Sequence, residues 1–106
     1  LHLSLRRQRQ MCIRDRFSVN GHADYAEHGS DIVCAAVSAV TLTTAGGLKE
    51  VAKFRGHYET QSGMLTVQLT DAPDARSQLL IETMLNGLRQ IQAQYPERLT
   101  IRERRR

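Results

Sequence analysis

The chain has 106 residues, 41% apolar and 25% charged, the balance of one small folded domain with a single core. Its formal charge of +4 sits in the ends: residues 1–16 carry five arginines against Asp15, residues 97–106 carry five against Glu97 and Glu103, and residues 17–96 are mildly acidic. A domain that reads nucleic acid shows its positive field on the folded surface, so nucleic acid is not expected as a partner despite the pI of 9.6. No run of about 18 apolar residues is evident, so no membrane span is expected. Nor do the arginine-rich first 16 residues form a secretory signal. Cys12 and Cys34 lack metal or redox spacing, which favours a reducing, cytoplasmic setting.

Along the chain, residues 1–16 come first. The string Arg6-Arg7-Gln8-Arg9-Gln10-Met11-Cys12-Ile13-Arg14-Asp15 reads as translated adapter sequence. The segment is set aside as non-native or disordered, although Leu1, Leu3 and Leu5 alternate as an edge strand would. Residues 16–20 form a short strand with Phe17 and Val19 on one face, and residues 21–30 form a polar loop bounded by glycines. Ser30 or Asp31 caps a helix over 31–45, extending as far as 52, with Val33, Ala36, Val37, Val40 and Thr44 at helical spacing. Gly46-Gly47 ends or loosens it.

Residues 57–60, a turn at Gln61-Ser62-Gly63, and residues 64–69 with alternating Leu65, Val67 and Leu69 make a hairpin. Residues 72–95 make the second helix, with Pro73 and Asp74 in its first turn and Leu80, Ile81, Met84, Leu88, Ile91 and Tyr95 along one face. Pro96 closes it, and residues 99–102 alternate as a last strand. The expected fold is α+β: a small mixed or antiparallel sheet with two helices packed on one face. The expected domain spans residues 17–102, followed by a basic tail at 103–106.

The chemistry concentrates in residues 21–38. Cys34 falls in the first turn of the expected helix, where free N–H groups and the helix dipole favour a thiolate, the nucleophilic form. The same N–H groups suit an oxyanion. Ser38 lies one turn on along the same face, and Thr41 continues that polar stripe. His22 follows Gly21 at a strand end, where it is a candidate base for Cys34, and Asp31 and Asp24 are both candidates to orient its ring.

Plainer readings exist. A cysteine among alanines is commonly a buried small hydrophobe, and loop histidines are commonly just solvated. His22, His28 and Cys34, spaced by six and six, match no common zinc pattern, so no metal is expected. A thiol-redox sensor needs a resolving cysteine, for which only Cys12 is present.

The run Gly21-His22-Ala23, Tyr25-Ala26, Gly29, then Asp31-Ile32-Val33-Cys34-Ala35-Ala36-Val37-Ser38-Ala39 resembles the signature of the ribosomal-processing cysteine proteases, the Prp family. A looser resemblance continues through the hairpin and second helix, over roughly residues 17–102. It implies a bacterial, cytoplasmic endopeptidase, usually a homodimer, that removes the N-terminal extension of large-subunit ribosomal protein twenty-seven. Cys34 would then be the nucleophile and His22 its base, with Gly21, Asp31 and Ser38 supporting the site or the substrate. Residues 23–30 would form a mobile loop, and no cofactor would be needed. Family members open with a complete native strand, which residues 1–16 do not resemble. The competing class is a non-catalytic ribosome-associated binding module in which Cys34 and His22 are structural.

Overall fold

The computed structural model describes residues 1–7, 15–21, 28–61 and 63–105. Period-two alternation builds its sheet. Five strands, β1 (His2–Arg7), β2 (Arg16–Asn20), β3 (Gly56–Gln61), β4 (Met64–Leu69) and β5 (Thr100–Arg105), lie in the order β3-β4-β2-β1-β5. Every neighbouring pair is antiparallel except β1 and β5, so the sheet is mixed. Leu3 and Leu5, Phe17 and Val19, and Leu65, Val67 and Leu69 are buried, while the residues between them are more exposed. One face of the sheet is therefore apolar and covered.

Two helices cover it. The first, α1 (His28–Gly46), contributes Val33 and Val37 to the core, and the second, α2 (Ala75–Gln94), contributes Ile81, Met84, Leu85 and Leu88. Asp74 caps α2: its carboxylate accepts from the Arg76 and Ser77 amides, and the Ser77 hydroxyl accepts from the Asp74 amide. The α+β fold with both helices on one face is as expected, and so are the hairpin and the strand at Arg16–Asn20.

Several boundaries differ from expectation for identifiable reasons. The described part of the segment 1–16 is not outside the fold: His2–Arg7 is an interior strand, paired to β2 and β5, with Leu3 0% exposed. Alternating leucines satisfy an interior position, because every second side chain has a core to enter. Residues 8–14, with Cys12, lie outside the described residues. The 103–106 tail is shortened too. Strand β5 runs to Arg105, and Glu103 accepts a hydrogen bond from Arg89 at 2.8 Å.

Helix α1 begins at His28, so Ser30 and Asp31 fall inside its first turn rather than capping it. At the double glycine the helix widens into a π-helical turn (Gly47–Val51) instead of stopping. Helix α2 begins after Asp74, two to three residues later than periodicity indicates, because capping chemistry rather than apolar spacing sets the start.

The run Ile32–Val51 is also long and apolar enough to cross a membrane, with mean hydropathy 1.5, contrary to expectation. Its hydropathy comes from alanines and valines interleaved with threonines, which no continuous apolar run reveals. In the fold Val33, Val37, Ala45 and Leu48 bury one side of it in the core shared with α2 and the apolar sheet residues.

Candidate active site

Several elements meet around one cleft of about 180 Å³. Helix α1 supplies Cys34, Ser38, Thr41 and Leu42 as one wall, at the four-residue and three-residue steps that keep side chains on a single helix face. Strand β2 supplies Val19 and the following Gly21, and the β3–β4 hairpin supplies the facing wall, chiefly Thr60, Gly63 and Leu65. Leu1 closes one end.

Cys34 is a free thiol, half-buried, so it is reachable from the cleft while its backbone is held by the helix. Ser38, one turn on, is exposed. Thr41 is buried at 1% exposure, and its hydroxyl donates to the Val37 carbonyl at 2.7 Å. That back-bond satisfies a polar group that burial would otherwise penalise. Because α1 starts at His28, Cys34 is its seventh residue and stands beyond the four N-terminal amides that lack intrahelical partners. The expectation that Cys34 occupies the first turn is corrected accordingly. Any oxyanion donors taken from those amides lie three to six residues before Cys34, about one to one and a half turns along the axis.

Gly21 occupies the backbone region that side chains disfavour, with φ of +119°, and a Cβ there would stand 3.2 Å from the Leu1 Cα. Its amide donates to the Gly63 carbonyl at 3.0 Å, tying the end of β2 to the hairpin turn. His22 lies outside the described residues, as does Asp24, and only the backbone of Asp31 is described, within α1. The structure thus places Gly21, Cys34 and Ser38 around one cleft.

Reading the sequence did not find Val19, Leu42, Thr60, Met64 or Leu65 as cleft residues. Leu42 follows Ser38 by four residues on the same helix face, where the helical period could have found it, whereas Val19, Thr60, Met64 and Leu65 are brought in by strand pairing between distant segments, which no local pattern encodes.

Further along the same side, the Tyr58 hydroxyl donates to the Phe54 carbonyl at 2.8 Å, and the Lys49 ammonium lies 5.6 Å from the ring centroid. Burial, and then the nearby Asp71 carboxylate, push the Tyr58 phenol above its ordinary value.

The family model for the cysteine protease Prp matches residues 3–100. A ribosomal processing cysteine protease from Staphylococcus aureus is 32% identical over 85 residues, covering 78% of this chain and 80% of that protein. One from Bacillus subtilis is 34% identical over 91 residues, covering 80% and 81%. The crystal structure of an essential ribosomal processing protease from S. aureus, in complex with a covalently linked product peptide, superposes with a TM-score of 0.76 at 25% identity, covering 96% of this chain and 99% of that one. A Streptococcus mutans protein of known structure gives the same score and identity, covering 99% and 94%.

The family match and these relatives, on this fold, define a cysteine-type peptidase. The chain belongs to the cysteine protease Prp family, the peptidases of ribosomal processing.

Proposed function

We propose that the chain is the endopeptidase that removes the N-terminal extension of large-subunit ribosomal protein twenty-seven, acting in the bacterial cytoplasm as a homodimer, with Cys34 as nucleophile and His22 as base. The observation that carries this reading is the shared cleft. Cys34 and Gly21 both line it, and His22 is the next residue after Gly21 in the sequence. The family match and the role of the relatives in ribosomal processing support the same reading.

In the proposed reaction the Cys34 sulfur attacks the scissile carbonyl carbon while its proton passes to His22. The tetrahedral intermediate collapses, the C–N bond breaks, and His22 returns the proton to the departing amine. Water, deprotonated by the same imidazole, then hydrolyses the thioester and frees the thiol. Asp31 and Ser38 support the site from α1, Ser38 through an exposed hydroxyl one turn from Cys34.

A synthetic peptide spanning the extension and the mature start of the ribosomal protein tests the substrate. Mass spectrometry is expected to show a single cut that removes the extension. An intact peptide, or cuts scattered along it, would remove the substrate assignment. Sedimentation equilibrium tests the homodimer, which a single monomer mass at micromolar concentration would contradict.

A further inference from the structure

The free edge of the sheet and the catalytic cleft share a rim. Strand β3 ends the sheet, and among the described residues no strand pairs with its outer edge. Which of its backbone groups face outward follows from one hydrogen bond. The Thr70 amide donates to the Arg55 carbonyl at 2.8 Å, one register step beyond the Gly56–Leu69 pair. Bonded and non-bonded pairs alternate along an antiparallel ladder. His57, Glu59 and Gln61 therefore bond to Gln68, Thr66 and Met64, whereas Gly56, Tyr58 and Thr60 turn their N–H and C=O groups to the open side.

Thr60 is exposed and lines the cleft that holds Cys34. Across the cleft stand Ser38 and Leu42 of α1, both exposed, with Leu42 at 46%. Thr60 of β3 and Ser38 and Leu42 of α1 thus bound the cleft that holds Cys34.

We propose that the substrate chain binds as an added strand on the outer edge of β3, its backbone hydrogen-bonded to the outward N–H and C=O groups of Tyr58 and Thr60, and that this pairing delivers the scissile bond to Cys34. The inference rests on the peptidase reading above and specifies how that site holds its substrate. The occupant is an extended segment of a protein substrate. Pairing through main-chain groups orders a flexible segment whatever its sequence, and it sends alternate side chains toward α1 and toward solvent. Continuity with the cleft argues for substrate rather than a second copy of the chain, because Thr60, whose outward groups such an occupant would pair with, also lines the cleft that holds Cys34. The exposed His57, Glu59 and Gln61 keep the neighbouring open sheet face polar, which blunts unwanted edge pairing.

Two measurements test the proposal, after the parent chain has been shown to cleave the extension peptide. The first is amide hydrogen exchange by NMR on the Cys34→Ala variant with and without that peptide. The Tyr58 and Thr60 amides should exchange rapidly in the free protein and be slowed about tenfold or more by the peptide, the effect of one added hydrogen bond. The His57, Glu59 and Gln61 amides should be slow in both states. Protection of Tyr58 and Thr60 in the free protein that is lost on dilution would assign the edge to a second copy and overturn the proposal. Bound peptide without protection at those two amides would overturn it as well.

The second compares Thr60→Pro, which removes the outward N–H together with the cleft-lining side chain and leaves the ladder bonds to β4 in place, with Thr60→Ala, which removes the side chain alone. Relative to Thr60→Ala, Thr60→Pro should raise KM about three- to tenfold with kcat and the circular dichroism spectrum little changed, one hydrogen bond's worth of binding. A KM equal to that of Thr60→Ala would contradict the proposal. If the parent chain does not cleave the peptide, both the substrate assignment and this inference fall. Cleavage with an unprotected edge removes only the added strand.

Discussion

The Gly21 amide donates to the Gly63 carbonyl at 3.0 Å, so the residue that precedes His22 is pinned to the turn of the β3–β4 hairpin. Gly21 holds this position at φ of +119°, with the Leu1 Cα 3.2 Å from where a Cβ would be. Gly21→Ala is expected to destabilise the fold by about 1–3 kcal/mol, the usual cost of a strained backbone position. Urea unfolding reads the stability. Cleavage should fall further than unfolding explains, because the strain sits beside His22; a variant with parent-like stability and activity would show that the turn tie is dispensable.

Leu3 lies in the interior strand β1, opposite Val19 of β2 and Ile101 of β5, and is fully buried. Leu3→Ala should cost about 2–5 kcal/mol, from lost burial and the cavity left behind. Deleting residues 1–7 should abolish cooperative unfolding, since β2 and β5 both lose their partner. A cooperative transition in the truncated chain would restore the expectation that the domain begins near residue 17.

Lys53 has φ of 62°, the left-handed region in which a Cβ crowds the following carbonyl. It is held there by its neighbours: Phe54 N–H donates to the Leu48 carbonyl at 2.8 Å, and the Arg76 guanidinium donates to the Ala52 carbonyl at 3.1 Å. Lys53→Gly removes the crowding but adds freedom to the unfolded chain, for a net gain of about 0.5 kcal/mol. A drop in thermal midpoint would show that the Lys53 side chain contributes more than the strain costs.

Tyr58 carries a raised phenol because burial, and then the Asp71 carboxylate, disfavour its anion. The folded state thus holds this proton more tightly than the unfolded one. The resulting stability is complete below the ordinary value of 10.0 and is lost as pH rises through the higher folded value. Unfolding followed from pH 9 upward should show this alkaline loss, and Tyr58→Phe should flatten it. An identical slope in the variant would place the titration on another group.

Much of this was legible in the sequence because local rules governed it. Alternation placed β2 and β4, apolar spacing placed α2, and a gapless run around Cys34 marked both the family and the cleft's helical wall. The start of α1 was misplaced because polar residues 28–30 read as loop, yet they extend the helix by most of a turn and move Cys34 away from its N-terminus. Residues 1–7 were set aside together with the adapter-like string at 6–15, and their alternating leucines suggested at most an edge strand, whereas the same alternation also fits the interior position that β1 takes. The hairpin wall of the cleft was invisible for a different reason: Thr60 and Leu65 approach Cys34 only through pairing of β2 with β4.

The central claim is that Cys34 carries the reaction. Incubating the chain with the extension peptide, quenching in acid within the first turnover, and measuring intact and digested mass tests it most directly. The account predicts an acyl adduct on the tryptic fragment containing Cys34, absent in Cys34→Ala, which should fold normally and cleave nothing. Continued cleavage by Cys34→Ala, or an adduct on another residue, would contradict it.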